Sequence, residues 1–269
     1  MGFCEDASTT YLKRLGYNVV RHPRAGIRPL DLLGRQGDTT NVVGRLDDLV
    51  KGSTQPLPSI TTGQAAADIN GQDSSSLKLA VGVNVLGSII GAMGGTLGVE
   101  TSYTNAKTMK FTYRDVLLDT VVPAAVGQYL TDVEIAGESP LLRQYVLGNG
   151  NLYVLTDVAL AKTITVKYEV SDGVSAKVDV PAIDGIVGGN VEVTSADAAS
   201  GTVTYTGQTP LAFGFRCFAV GVYHGEVTMM ASSAGSQVLA VGADENELAK
   251  ESAILTPSTA ALLDLDDAA

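Results

Sequence analysis

Residues Thr163 to Val180 read TITVKYEVSDGVSAKVDV. Ile164, Val166, Tyr168 and Val170, then Val174, Ala176, Val178 and Val180, are apolar. Between them stand polar or charged residues such as Thr165, Lys167, Glu169, Lys177 and Asp179. Alternation of period two puts every apolar side chain on one face of an extended chain and the polar ones on the other. Ser171-Asp172-Gly173 supplies turn chemistry in the middle, with Gly173 free to take positive φ. The stretch is predicted to form two amphipathic strands of about eight residues, close to the ~9–11 a tilted strand needs to cross a bilayer. The same pattern suits a half-buried hairpin in a water-soluble sheet, so the rest of the chain must decide.

Upstream, Leu77, Leu79, Val81, Val83 and Val85 alternate with Lys78, Ala80, Gly82 and Asn84. Leu79 to Val99 is uncharged for 21 residues, long enough for a membrane helix. Its six glycines would cost a helix roughly 1 kcal/mol each relative to alanine. The run is therefore read as a strand, a short Gly-rich helix or turn from Leu86 to Gly95, and a strand through Leu97, Val99 and Tyr103. Met109, Phe111 and Tyr113 then face away from Lys110, Thr112 and Arg114, giving a second pair of two-faced strands.

Elsewhere the pattern predicts a short helix from Ala7 to Gly16 and a brief strand from Tyr17 to Val20. Breaks follow at His22-Pro23-Arg24 and Arg28-Pro29-Leu30, and a new element begins at Asp31. Gln55 to Gln72 reads as a surface loop. Asp115 to Leu130 has helical spacing until Pro123. Leu141 to Val146 and Leu152 to Ala161 read as core segments, and Val191, Val193, Val203 and Tyr205 mark weaker strands. Leu211 to Tyr223 is apolar on both faces, as a central strand should be.

The 269 residues can bury a sizeable core, and 45% hydrophobic with 17% charged residues describes a folded chain. A net charge of −11, no tryptophan and only 6% aromatics exclude a nucleic-acid binder, which needs a basic field and stacking surfaces. The charge is uneven. Asp244 to Ala269 holds seven acids against Lys250, while the first 51 residues hold eight bases against six acids. Losing the tail would leave a mildly basic N-terminal region, the sign suited to an anionic membrane. Cys4 and Cys217 make no disulfide framework. The start lacks a continuous apolar run, so no signal peptide is read and cytoplasmic synthesis is expected. Met1-Gly2 fails the myristoylation pattern because Asp6 stands where Ser or Thr is wanted, which leaves Cys4 as a possible S-acyl acceptor.

No catalytic constellation is legible. His22 and His224 have no neighbours at metal-ligand or nucleophile–base spacing, and no nucleophile elbow, P-loop or dinucleotide fingerprint occurs. The chain is not expected to be an enzyme.

With these residues laid out, the chain resembles a bacterial gasdermin. The resemblance rests on Cys4, on YLKRLGYNVVRHPRAGIRPLDLLGR from Tyr11 to Arg35, on the two regions of alternating strands, on the length and on the short tail. It covers most of the chain. It implies an α+β fold with a twisted, mostly antiparallel central sheet wrapped by helices. Residues 1–243 would be the pore-forming domain and 244–269 an autoinhibitory peptide. It further implies a palmitoyl group on Cys4, no other cofactor and no metal. A partner protease, caspase-like or of another class, would remove the tail. The released part would assemble from a cytoplasmic monomer into a homo-oligomeric pore in the inner membrane, killing the cell during phage infection.

Strand physics fits these expectations. Ile254, Leu255, Leu262, Leu263 and Leu265 can cover a hydrophobic groove, at ~1.5–3 kcal/mol gross for each buried side chain before ordering costs. The cut is expected in Ala231 to Gly242, around Ser236, Gln237, Val238, Leu239 and Gly242, where small residues favour nicking. No Lys or Arg stands there, which disfavours trypsin-like specificity. Two hairpins per subunit, near Leu77–Tyr113 and Thr163–Tyr205, would enter a closed barrel, the form that satisfies every backbone group in lipid. Leu79, Val81, Val83, Val99, Phe111, Ile164, Val166, Tyr168, Val178 and Val180 would face lipid. Lys78, Lys110, Lys167, Glu169, Lys177 and Asp179 would face water. Val166→Asp or Val178→Asp is expected to abolish leakage while the uncut chain still folds. A soluble β-rich binding or virion module without membrane activity, and an enzyme whose site forms only in three dimensions, stay open as alternatives.

Overall fold

The computed structural model describes residues 16–36, 39–51, 53, 55–67, 69–71, 77–95, 106–131, 133–135, 139–146, 150–170, 191–197, 201–223, 226–231 and 262–263. Strands β1 (Asn18–Arg24), β2 (Asp31–Gln36) and β3 (Thr39–Arg45) lead through helix α1 (Leu46–Leu49) to β4 (Val50–Lys51) and β5 (Ile60–Ala65). Next come β6 (Leu77–Lys78), helix α2 (Leu79–Ala92), β7 (Ala106–Arg114) and β8 (Leu117–Val121). Helix α3 (Pro123–Tyr129), β9 (Glu134–Ile135) and helix α4 (Pro140–Val146) follow. The remainder is strand: β10 (Asn151–Val170), β11 (Val191–Asp197), β12 (Thr202–Tyr223), β13 (Glu226–Ala231) and β14 (Leu262–Leu263).

Twelve of these strands form one sheet, and β4 pairs β9 apart from it. Its spine is the antiparallel pair β10–β12, which runs from Leu152↔Val220 to Lys167↔Thr202 with three register shifts. Along one side of β10 lie β2 with β3, then β8 with β5, then β7 with β6. Along the far side of β12 lie β13, β1 and β11. Every pairing is antiparallel except β14 on β1. Helices α1, α3 and α4 pack Leu46, Leu49, Val126, Tyr129, Leu142 and Tyr145 on one end of the sheet. Helix α2 packs on the other end.

Several local expectations are corrected. Leu79 to Val85 is helical, because the apolar residues of α2 also repeat at helical spacing and Leu86, Ile89, Ile90 and Met93 bury against the sheet. That burial outweighs the intrinsic cost of its glycines. Thr163 to Lys167 does not pair with the second half of its own stretch, since β7 and β12 take both edges. The supposed loop Gln55–Gln72 contains edge strand β5. Asp115 to Leu130 is strand β8 before Pro123, which opens α3 where its missing N–H costs nothing. Strand β1 runs through Pro23, in the irregular stretch between its Val19 and Arg24 pairings with β12, where a proline is tolerated.

Candidate functional site

Strands β7, β10, β12 and β11 form a ribbon with two unlike faces. On one face Met109, Phe111, Ile164, Val166, Tyr168, Val203 and Tyr205 are buried, all beneath α2. Alternation in each strand produces this, and the paired register adds the strands together: Phe111 stands opposite Val166, and Val166 opposite Val203.

The other face is polar, and its residues lie in rows. One row is Thr112, Thr165 and Thr204; the next is Lys110, Lys167, Thr202 and Asp197. The hydroxyls pair across strands, Thr165 with Thr204 at 3.1 Å, Thr163 with Thr206 at 3.3 Å and Thr194 with Thr206 at 3.2 Å. Lys110 Nζ lies 3.0 Å from Glu169 Oε1, and Thr108 donates to Glu169 Oε2 at 3.2 Å. Thr112 and Thr165 are buried, so their row is satisfied within the protein, while the Lys110–Glu169 pair is open to water and adds little stability. A sheet with one mainly apolar face, which includes Tyr168 and Tyr205, and one hydroxyl-lined face is chemically suited to stand between lipid and water.

A second polar cluster ties β2 to its flanking loop and to β3. The buried Asp31 accepts from the Arg28 backbone N–H at 3.0 Å, and Arg45 Nη1 lies 3.2 Å from its carboxylate. Burial raises the Asp31 carboxyl above its ordinary value, while the Arg28 N–H and the Arg45 and Arg28 charges pull it back.

Of the residues singled out from the sequence, Phe111, Ile164, Val166 and Tyr168 come together in one buried cluster. Leu79, Val81 and Val83 lie in α2, with Val83 packed against that cluster, and Lys78 lies in β6. Leu262 and Leu263 form the strand paired with Val19 and Val20. Cys4, Val99, Lys177, Val178, Asp179, Val180, Ser236, Gln237, Val238, Leu239, Gly242, Ile254, Leu255 and Leu265 lie outside the described residues. Sequence spacing alone does not single out the covering residues Ile89, Ile90 and Met93 of α2, nor the threonine rows. Threonines at 163 and 165 and at 202, 204 and 206 were the available signal. Val166 is 0% exposed, so Val166→Asp would place a carboxylate in the resting core and disturb the uncut chain as well. Among the described residues no helix is long and apolar enough to cross a membrane, which leaves crossing by strands untouched.

The comparisons agree with this geometry. The profile of the Bacterial Gasdermin Family matches residues 20–228. The chain is 45% identical over 266 residues to "Gasdermin bGSDM" of Vitiosangium sp. (strain GDMCC 1.1324), covering 99% of both chains. It is 37% identical to "Gasdermin bGSDM" of a Desulfuromonadales bacterium, over 88% of this chain and 91% of that one. The structure of a bacterial gasdermin from Bradyrhizobium tropiciagri superposes with a TM-score of 0.61 at 19% identity, covering 84% of this chain and 91% of that one. The chain therefore belongs to the bacterial gasdermin family. Its members are pore-forming proteins rather than enzymes, and the mostly antiparallel sheet is the gasdermin fold.

Proposed function

We propose that the chain is an autoinhibited pore-former. Residues 1–243 are the pore-forming part, and residues 244–269 are an inhibitory peptide that a partner protease removes by cutting within Ala231 to Gly242. The released part assembles into a homo-oligomeric β-barrel in the inner membrane and kills the cell, as antiphage defence. Before cleavage it is a cytoplasmic monomer, with Cys4 carrying a palmitoyl group that favours the membrane.

The single observation that carries this reading is the ribbon's apolar face, complete and continuous across four strands but covered by α2. Leaving α2 for lipid exchanges one apolar cover for another, so the membrane removes the cost of exposure. Residues from β6 through β7 would supply one hairpin and those from β10 to β12 the other, with α2 refolding as strand. The pairing of β14 with β1 supports a docked tail. Attachment to the same chain holds that strand at high local concentration, and cutting forfeits this advantage.

The test places a site for a sequence-specific protease within residues 232–242 and follows dye release from vesicles of phosphatidylethanolamine with phosphatidylglycerol. Release is expected only after cutting. A cut chain that stays monomeric and leaves vesicles sealed would overturn the reading.

A further inference from the structure

The edge of β1 that the tail strand covers has a counterpart at the same height on the other side of the sheet. One row of paired residues runs Leu262, Val19, Gly214, Ala159, Leu118, Gln64, through β14, β1, β12, β10, β8 and β5. Among the described residues β5 pairs only with β8, and five of its six residues are exposed. Its outer edge is therefore a row of backbone donors and acceptors open to a further strand.

Polarity makes the two edges complementary. Four successive antiparallel pairings separate β1 from β5, so the two run in the same direction. Strand β14 also runs parallel to β1. In a ring whose axis lies roughly along the strands, rotation from one copy to the next preserves strand direction. The next copy's β5 thus arrives beside β1 pointing as β14 points.

We infer that the tail strand occupies the place of a neighbouring copy: β1 of one subunit pairs in parallel with β5 of the next, and β14 fills that position until the tail is cut. The inference rests on the pore reading above and adds the interface that joins the subunits outside the membrane. A contact between two different edges of the same chain is heterologous, the kind of contact that generates a ring when the rotation closes. The lengths agree. Strand β14 pairs over two residues, and β5 offers Ile60–Thr61 and Gln64–Ala65 on either side of an irregularity at Gly63, where φ is +70°. Such an interruption on an open edge discourages indiscriminate pairing while leaving short stretches usable.

Neighbouring strands place paired Cα atoms about 4.8 Å apart, within disulfide range. The test uses the full chain with the inserted protease site and its native cysteines, carrying Val19→Cys with Gln64→Cys, Thr61→Cys or Ala65→Cys. After cutting on vesicles of phosphatidylethanolamine with phosphatidylglycerol, mild oxidation is expected to give a ladder of cross-linked multimers for at least one pair. The uncut chain should give none, and neither should the single variants or the parent, which share the native Cys4 and Cys217. Val19→Cys with Leu262→Cys, uncut, should close an intramolecular bond, and this also reports that Val19→Cys folds. Vesicles that leak while all three pairs fail to form a ladder overturn the β1–β5 interface and leave the pore reading standing. Sealed vesicles overturn both.

Discussion

Gly82 of α2 lies directly upon Met109 of β7: a Cβ built on the glycine would stand 2.8 Å from the methionine Cβ. Only a residue without a side chain lets the helix come this close to the ribbon. At the other end of the helix, Met93 meets Gly207 of β12 in the same way, with its Cγ 2.9 Å from where a Cβ would be. Two glycine–methionine seats thus fix α2 across the apolar face.

Gly82→Val should lift α2. The uncut chain is expected to lose about 1–3 kcal/mol, the usual cost of overpacking. Because the lost stability belongs to the cover and not to the ribbon, the cut variant should release dye faster than the parent. Urea unfolding and leakage kinetics check the two halves; equal leakage rates would show that α2 does not limit opening.

Val193 and Thr194 are consecutive residues of β11 on opposite faces, Val193 packed against the apolar cluster and Thr194 exposed and bonded to Thr206. Val193→Asp should reduce leakage tenfold or more, since a carboxylate facing lipid costs on the order of 1–2 kcal/mol in every copy of the ring. Thr194→Asp should leak like the parent. Val193 is only half-buried at rest, which makes it a gentler site than Val166 for this comparison. Dye release from the two cut variants side by side decides the assignment of faces.

Replacing Leu262 and Leu263 together by proline removes two backbone donors from the strand paired with β1. Consecutive strand residues point their N–H groups to opposite edges, so one of the two donates to β1; at about 1 kcal/mol for that hydrogen bond, the open population of the uncut chain should rise roughly 5-fold. Slow leakage without any cutting is the expected outcome. Vesicles as tight as those given the uncut parent would show that β14 contributes nothing to restraint.

Arg45→Met leaves the buried Asp31 with Arg28 as its remaining cation in the cluster. A loss of about 1–3 kcal/mol is expected at neutral pH, the cost of stranding a buried charge. Asp31 already titrates above its ordinary value in the folded chain, so the native state holds this proton more tightly than the unfolded one. The contribution of Asp31 to stability therefore grows as pH falls through the raised value, levelling off below the ordinary 3.8. The deficit of Arg45→Met should shrink on acidification, and Asp31→Asn should abolish that pH dependence. Urea midpoints at neutral and mildly acidic pH measure both.

The two-faced character of Thr163 to Val170 was legible because alternation survives whatever the partner strand is. The partner was not legible. A turn at Ser171-Asp172-Gly173 suggests a local hairpin, but Thr163 to Lys167 pairs with residues about 40 and 50 positions away, which no local signal encodes. Leu77 to Val85 misled for a different reason: its valines and glycines satisfy period two and still permit a helix once Met109 offers the close seat. Strand β5 was hidden by Pro56, Pro58 and a run of small polar residues, the composition of an exposed edge. The apolar character of Leu262 and Leu263 was visible in the sequence; that these two residues add a strand to β1 belongs to tertiary structure.

Strands β10 and β12 pass without interruption from the end of the sheet clasped by α3 and α4 to the end that carries the two-faced ribbon. They behave as a double keel. On the proposed pore reading, a subunit that keeps this pair zipped would carry the alignment of the helix-clasped half into the half that enters lipid, whatever becomes of α2 or β14.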